Sequence, residues 1–332
     1  MSAPGDPWVD PEVPAVGAAL RERGLVAPVL EQAPVAQSRA AYDAIGAFMC
    51  EHSEPLADES EVRVPGPHGA IRCCIYRPDG AKAPVPAVVY FHGGGFALGR
   101  IDEWRGMMRE LVRRSGAAAI NVEYRLSPEA RFPVQFDEAV AAIRYFAANG
   151  EAHGVQGGML AAGGDSAGAN LALAAACALR DAGGSPLKWL LLYYGVYSWE
   201  TEADSWQRLG AGAFGLSRSQ LDWIRSHYLA DDEQRRDWRA APLNARLEGL
   251  PPVQLHAASL DPLLDDSRAL WARLEAAGVP ARLRVHEGVP HGFIRNGRLL
   301  AAARLAVRMG ADGLAAALGT GPETAPGDPQ AV

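Results

Sequence analysis

A serine stands at the centre of the glycine-rich stretch at residues 164–168, whose sequence is GDSAG. The apolar residues 159–162 before it are typical of a buried strand, and the alanine- and leucine-rich residues 170–179 after it are typical of a helix. A serine between a strand and a helix lies on a tight, strained turn that exposes its hydroxyl group. Cβ atoms beside this turn would crowd it, which explains the flanking glycines. The pattern therefore predicts that Ser166 is a nucleophile.

A serine hydroxyl is a weak nucleophile until a base removes its proton, and histidine suits that task near neutral pH. A carboxylate must in turn hold the histidine in the correct tautomer. In an open α/β sheet, sites form beyond the carboxyl ends of the strands. Asp261 follows the apolar run at residues 253–258, and His291 follows the run at residues 281–285. We therefore predict that Ser166, Asp261 and His291 form a catalytic triad.

Other acids and bases compete for these roles. Asp265 and Asp266 lie one turn into a predicted helix, where carboxylates are favoured by the positive helix N-terminus, and they remain the alternative to Asp261. His256 and His286 fall within or at the end of strand patterns, so we interpret them as structural.

The stretch at residues 92–95, HGGG, directly follows the apolar strand pattern Val85–Phe91. Attack on an ester or amide carbonyl creates an oxyanion, which preorganised N–H groups must stabilise. Gly93 and Gly94 can present bare N–H groups, and Ala167, just after the nucleophile, can present a third. We predict these three residues as the oxyanion hole, and we interpret His92 as a structural residue that holds the loop.

The elements that carry these residues alternate between strand and helix from residue 85 onward. Such alternation predicts a mostly parallel sheet with helices on both faces. Strand patterns at residues 61–64 and 70–76 are separated by the turn sequence PGPHG, which predicts an antiparallel pair.

Two regions interrupt the α/β pattern. Residues 1–52 contain two helical patterns, and residues 195–240 contain a helix that opens with the capping box Ser217 to Gln220. We predict that both form one cap over Ser166, which selects the acyl or alcohol group of a substrate. The predicted organisation is therefore N-terminal cap helices at 1–52, an α/β core at 53–194 and 241–318, a cap insertion at 195–240, and a disordered tail at 319–332.

Composition narrows the classes of partner. The chain has 332 residues, 48% of them hydrophobic, which suffices for a large core. Its net charge of −7 and lack of a basic cluster argue against nucleic acid, and no apolar run reaches membrane-spanning length. The acidic, proline-rich beginning does not resemble a signal peptide. The four cysteines show no metal-ligand spacing, so we expect reduced thiols, a cytoplasmic location, and neither metal nor cofactor.

Over about residues 60–315, the sequence resembles the hormone-sensitive-lipase-like esterases of bacteria. The motifs that carry the resemblance appear in family order: His92-Gly93-Gly94-Gly95-Phe96; Tyr124-Arg125-Leu126 with Pro128-Glu129 and Phe132-Pro133; Gly164-Asp165-Ser166-Ala167-Gly168; Asp261-Pro262-Leu263 with Asp265; and His291-Gly292-Phe293. The resemblance implies an α/β-hydrolase fold with a mostly parallel eight-stranded sheet and a helical cap.

The resemblance also implies hydrolysis of short- to medium-chain carboxylic esters through an acyl-enzyme, with a small-molecule ester as the partner. An amidase or a lactonase would use the same triad. A non-catalytic receptor on the same fold is a further alternative, since plant gibberellin receptors resemble this family but lack the histidine that is present here as His291. The sequence leaves open the natural substrate and the oligomeric state, including a homo-oligomer.

Overall fold

The computed structural model describes residues 7–82 and 84–321. The predicted disordered tail therefore lies outside the described residues from residue 322 onward. Within the described residues the strands are β1 Asp58–Val64, β2 Ile71–Arg77, β3 Val85–Phe91, β4 Ala118–Glu123, β5 Val155–Asp165, β6 Leu187–Tyr193, β7 Val253–Leu260 and β8 Ala281–Pro290. The helices are α1 Glu12–Glu22, α2 Val35–Cys50, α3 Arg105–Ser115, α4 Val134–Asn149, α5 Ala167–Asp181, α6 Asp204–Leu209, α7 Arg218–Tyr228, α8 Leu264–Ala276 and α9 Ala301–Leu318.

In the described part of the chain, the strands form one eight-stranded sheet in the order β1-β2-β4-β3-β5-β6-β7-β8. β1 and β2 pair antiparallel, as do β2 and β4, and the strands from β4 to β8 pair parallel. Parallel strands need crossover helices, which cover both faces of the sheet, so the central strands are buried apolar runs. The predicted fold class, a mostly parallel sheet with helices on both faces, is confirmed.

Helices cover both faces of this sheet. α4 and α5 pack together on one face, and α3 and α9 pack together on the other. Every residue of α5 from Ala167 to Cys177 is buried. A helix that is apolar around its whole circumference belongs in the centre of a core, and its many alanines allow a close approach to the sheet. This position makes the beginning of α5 a rigid support for residue 166.

The two irregular regions lie at the same side of the molecule. α1 and α2 precede the sheet, and α6 and α7 belong to the segment between β6 and β7. The predicted capping box is present at the start of α7, because Gln220 N donates to Ser217 Oγ at 3.1 Å and Ser217 N donates to Gln220 Oε1 at 3.2 Å. Leu30 packs in one apolar cluster with Leu98 and Trp223. The N-terminal region and the insertion therefore meet above the core.

None of the helices in residues 7–82 and 84–321 has the length and hydropathy needed to cross a membrane.

Two buried histidines connect neighbouring strands. His256 Nδ1 of β7 lies 2.9 Å from His286 Nε2 of β8, and the Gln254 side-chain amide donates to His256 Nε2 at 2.9 Å. With that donor, His256 carries its proton on Nδ1 and donates to His286. Burial lowers the pKa of both imidazoles, that of His286 to about 4. The pair is a neutral hydrogen-bonded link in the sheet, which agrees with the structural role predicted for both residues.

This pair predicts acid sensitivity of the fold. A histidine whose pKa is lowered in the folded protein stays neutral where the unfolded chain is already protonated, so the free energy of unfolding falls as the pH decreases from about 6.5 towards 4. In His286→Gln, we expect that decrease to be smaller by on the order of 2 kcal/mol. Urea unfolding at several pH values measures it. The exposed His68→Gln is the control, and equal slopes for His286→Gln and the wild type would contradict the prediction.

Candidate active site

Ser166 lies on the turn between β5 and α5. Its backbone angles, φ 54° and ψ −117°, are strained for a residue with a side chain and cost about 1–3 kcal/mol. The neighbours hold it there: Ser166 N donates to Tyr193 O at 2.9 Å. A Cβ atom on Gly164 would lie 2.3 Å from the carbonyl carbon of Gly168, and one on Gly168 would lie 1.8 Å from the carbonyl oxygen of Phe91. The turn is therefore possible only with glycine at both positions.

A chain of hydrogen bonds leads away from the serine hydroxyl. Ser166 Oγ lies 2.9 Å from His291 Nε2, and His291 Nδ1 lies 2.7 Å from Asp261 Oδ2. The carboxylate accepts the Nδ1 proton, which leaves the Nε2 lone pair to accept the serine proton. The structure thus brings together the three residues predicted as a triad, in the geometry that nucleophilic attack by serine requires.

The strand register explains why Asp261 and His291 meet. Leu260, the last residue of β7, is paired with Pro290, the last residue of β8, so the two functional side chains come from the next residue of each strand. The sequence pattern predicts that the last strand ends at residue 285, but β8 continues to Pro290. It does so through a bulge, in which residues 286–290 of β8 lie opposite residues 258–260 of β7. Gly288 stands in this bulge with φ 71°.

Asp261 is buried, with 1% of its side chain exposed. Its Oδ1 accepts a hydrogen bond from Leu263 N at 2.9 Å, while its Oδ2 accepts the bond from His291. Both oxygens are therefore satisfied, as a buried carboxylate requires, and the side chain has little freedom to turn away from the histidine.

The competing carboxylates serve the insertion instead. Asp266 Oδ2 accepts hydrogen bonds from the backbone N–H groups of Tyr197 and Ser198, both at 2.8 Å. Asp265 Oδ2 accepts one from Ser205 N at 2.8 Å. Burial raises the pKa of Asp266 to about 7. These two carboxylates therefore anchor the beginning of the insertion to α8, and Asp261 is the one that faces His291.

The loop at residues 92–98, here called the oxyanion loop, corrects one predicted residue. The N–H group of Gly93 donates to Asp165 Oδ1 at 3.0 Å, and Tyr90 OH donates to the same oxygen at 3.0 Å. Burial raises the pKa of Asp165 to about 6. Because its N–H group is already bonded to this buried side chain, Gly93 has no donor left for an oxyanion, and we remove it from the predicted set.

Gly95 takes the place of Gly93. Gly94 and Gly95 line the same cavity as Ser166, and their backbone angles (φ 116° and 60°) favour glycine. In the described part of the chain, the N–H groups of Gly94, Gly95 and Ala167 have no hydrogen-bond partner. Ala167 is the first residue of α5, where helix N–H groups are free by geometry. The revised donor set is Gly94, Gly95 and Ala167.

Other residues support the loop and the histidine. His92 Nδ1 lies 2.7 Å from Gly93 O, and burial lowers the pKa of His92 to about 4, in agreement with a structural role. Tyr194, with φ 35°, packs its ring edge-on against His291 with 4.9 Å between centroids. Sequence reasoning missed both Asp165 and Tyr194. Asp165 stands inside the GDSAG motif, which was the available signal, whereas Tyr194 carries none.

Ser166 opens onto a cavity of about 330 Å³, near the lower end of the range for small-molecule sites. Its walls come from three parts of the chain, and most of them are apolar. The N-terminal region contributes Leu20, Leu30, Tyr42 and Ile45; the insertion contributes Leu216, Gln220, Leu221 and Ile224; the core contributes Gly94, Gly95, Tyr194, Leu263, His291 and Arg295.

A serine on a strand-to-helix turn, bonded to a histidine and an aspartate at the carboxyl edge of a parallel sheet, defines a hydrolase of the nucleophile-elbow class. The family model described as alpha/beta hydrolase fold matches residues 88–295. The chain therefore belongs to the α/β-hydrolase family, within its hormone-sensitive-lipase-like branch.

Known relatives agree with this assignment. The acetyl esterase of Salmonella enteritidis PT4 is 36% identical over 253 residues, which cover 75% of this chain and 77% of that protein. The hyperthermophilic esterase from the archaeon Pyrobaculum calidifontis has a TM-score of 0.88 and 30% identity, over 93% of this chain and 98% of that one. A thermostable esterase from Pseudomonas putida has a TM-score of 0.88 and 31% identity, over 95% and 99% of the two chains.

The choice among the three carboxylates predicts distinct mutant phenotypes. In Asp261→Asn, the amide cannot hold the productive histidine tautomer, so we expect kcat to fall by about 10⁴-fold. Asp265→Asn is the matched control, and its kcat should stay within about threefold of the wild type. Steady-state kinetics on a p-nitrophenyl ester, with melting temperatures for both variants, tests this. A crippled Asp265→Asn beside an active Asp261→Asn would show that the wrong carboxylate was assigned.

Proposed function

We propose that this protein is a serine carboxylesterase that hydrolyses short- to medium-chain carboxylic esters. The observation that carries the proposal is the hydrogen-bonded series Ser166, His291 and Asp261 at the floor of an apolar cavity. The presence of the histidine 2.9 Å from the serine hydroxyl argues against a receptor without catalysis. The esterase names of the relatives support an ester as the bond that is cleaved.

Acylation begins when Ser166 Oγ attacks the ester carbonyl carbon. His291 Nε2 takes the serine proton, and the buried Asp261 stabilises the imidazolium that forms. The carbonyl oxygen becomes an oxyanion, which accepts hydrogen bonds from the N–H groups of Gly94, Gly95 and Ala167. Each such donor is worth roughly 2.7–4 kcal/mol in the transition state. Collapse of the tetrahedral intermediate releases the alcohol, which takes the proton from His291.

Deacylation repeats these steps with water. His291 Nε2 now takes a proton from a water molecule, whose oxygen attacks the acyl carbon, and the same N–H groups stabilise the second oxyanion. The acid leaves, and Ser166 recovers its proton from the histidine. The start of α5 also favours these steps, because the partial positive charge at a helix N-terminus lies beside each oxyanion.

The cap is the second part of the proposal. The N-terminal region and residues 195–240 together supply the apolar walls above Ser166. Ile224 of α7 lies so close to Gly95 that a Cβ on that glycine would be 2.7 Å from Ile224 Cγ1. A cavity of about 330 Å³ with mostly apolar walls limits the size of the group that binds there. We therefore assign small apolar acyl or alcohol groups to the substrate.

We infer a cytoplasmic location from the cysteines. All four lie in the described part of the chain as free thiols, and Cys73, Cys74 and Cys177 are buried. Free thiols are typical of a reducing compartment. The sequence leaves the oligomeric state open, and sedimentation of the purified protein measures it.

If Ser166 is the nucleophile, its replacement abolishes turnover while the protein stays folded. In Ser166→Ala, we expect kcat on p-nitrophenyl butyrate to fall by at least about 10⁴-fold, because the acyl-enzyme cannot form. The melting temperature should not fall, since a strained residue loses only its hydroxyl group. An alkyl fluorophosphonate should label the wild type once, at Ser166, and mass spectrometry locates the label. The exposed Ser226→Ala is the control.

Normal turnover by Ser166→Ala would overturn the mechanism. Faster cleavage of anilides or lactones than of esters would instead show that an amide or a lactone is the bond cleaved.

The cap predicts a change in acyl preference. Ile224→Ala enlarges the cavity above Gly95, so we expect kcat/KM for p-nitrophenyl hexanoate relative to acetate to rise by about tenfold, the lower end of the effect of one methylene group in an apolar pocket. Asp222→Ala, an exposed change on the same helix, is the matched control. An unchanged hexanoate-to-acetate ratio in Ile224→Ala would show that α7 does not limit chain length.

A further inference from the structure

Arg39 of α2 connects three separate parts of the molecule. Its Nε donates to Ala97 O at 2.8 Å, and its Nη2 donates to Ser127 O at 2.8 Å. Both terminal nitrogens also bond Glu129, with Nη1 at 2.8 Å from Oε1 and Nη2 at 2.7 Å from Oε2. One guanidinium from the N-terminal region therefore holds a carbonyl of the oxyanion loop and a carbonyl of the segment after β4.

The carbonyl of Ala97 belongs to the turn that carries the proposed oxyanion donors. Ala97 N and Leu98 N both donate to Gly94 O, at 3.2 and 2.9 Å. A shift of the peptide at residue 97 therefore moves the carbonyl of Gly94, and with it the peptide plane whose other end is the N–H group of Gly95. The position of this donor depends on what holds the turn.

The turn contains backbone conformations that are unfavourable without contacts from other parts of the chain. Gly94, Gly95 and Phe96 all have positive φ, and for Phe96 (φ 59°) this costs about 1–3 kcal/mol. Contacts from outside must therefore keep the loop in this shape. Asp165 holds its beginning at Gly93 N, and Ser127 N and Oγ hold Phe96 O at 2.8 and 3.0 Å. Arg39 holds its end at Ala97, which is fully buried.

The carboxylate partner of Arg39 does not explain its placement by itself. Glu129 is 65% exposed, and exposed ion pairs contribute little to stability. The two backbone carbonyls are the partners that fit the fixed geometry of a guanidinium, and Glu129 holds the remaining N–H groups so that the fork stays aligned. A point charge such as lysine has no equivalent arrangement.

We propose that Arg39 is a positioning residue for the oxyanion hole, so that helix α2 contributes to transition-state stabilisation in addition to forming a wall of the cavity. This inference rests on the proposed esterase function. It has a consequence for the predicted cap: removing residues 1–52 removes the support of the loop together with the wall, so turnover of small esters falls as well as turnover of bulky ones.

The matched control is a second arginine that attaches the same helix. Arg298 Nη1 donates to Phe48 O of α2 at 2.6 Å and to Oε2 of Glu51, the residue after α2, at 2.7 Å, so it also joins one carbonyl and one carboxylate. It touches neither the oxyanion loop nor the cavity around Ser166. A role limited to docking α2 predicts the same phenotype for both arginines, whereas a role in positioning the loop predicts a catalytic defect for Arg39 alone.

The experiment compares Arg39→Ala, Arg39→Lys, Arg39→Gln and Arg298→Ala with the wild type. For each protein, kcat and KM on p-nitrophenyl acetate, the inhibition constant of a trifluoromethyl ketone, and the melting temperature are measured. We expect kcat of Arg39→Ala to fall about tenfold to hundredfold, less than the loss of a whole donor, with KM changed by less than about threefold. Affinity for the ketone, which forms a tetrahedral adduct at Ser166, should fall in parallel, because the adduct needs the same donors. Arg39→Lys should recover only part of the loss.

Arg298→Ala should lower the melting temperature comparably but leave kcat within about twofold of the wild type. Equal kcat losses in Arg39→Ala and Arg298→Ala, or a change in KM alone, would overturn the proposal. If Arg39→Ala does not fold, Arg39→Gln, which keeps a single donor group, decides by the same criteria. A wild type that neither cleaves esters nor reacts with a fluorophosphonate would instead refute the proposed function, so the two failures are distinguishable.

Discussion

The active site depends on one close contact, between the first turn of α5 and strands β3 and β5. Gly164 and Gly168 bring these backbones so near that no Cβ atom fits between them. That closeness holds Ser166 in a conformation that costs about 1–3 kcal/mol, and the buried residues 167–177 of α5 supply the packing that offsets this cost. The same turn directs the first N–H groups of the helix toward the reacting carbonyl. Nucleophile and oxyanion donor are therefore products of a single packing constraint.

Buried carboxylates distribute the remaining tasks at this edge of the sheet. Asp261 orients the histidine, Asp165 holds the oxyanion loop, and Asp266 anchors the insertion. Each accepts at least one backbone N–H group, which supplies a hydrogen bond that a buried carboxylate requires. Burial raises the pKa of Asp165 to about 6 and that of Asp266 to about 7. Chemically identical groups thus differ in function through the backbone that each one contacts.

Much of the fold and of the site follows from the sequence alone, for physical reasons. A strand buried on both faces must be a continuous apolar run, and β3 begins and ends at the predicted residues, Val85 and Phe91. The elbow requires small residues around a serine, and serine chemistry requires a base and an acid that follow later strands. Residue types and chain order therefore led to Ser166, Asp261 and His291, which the structure places in one hydrogen-bonded series.

Features that depend on backbone direction and on long-range register were decided only by the tertiary structure. Neighbouring glycines have identical N–H groups, so nothing in the HGGG stretch distinguishes Gly93 from Gly95 as an oxyanion donor. The N–H group of Gly93 is excluded only because it bonds Asp165, which lies far along the chain. The bulge in β8 that brings His291 level with Asp261 exists through its pairing with β7. In the sequence, Arg39 likewise resembles any surface arginine on an amphipathic helix, and only the tertiary structure shows that it donates to the carbonyl of Ala97. Local patterns specify which groups can react, whereas packing across distant segments specifies where each group points.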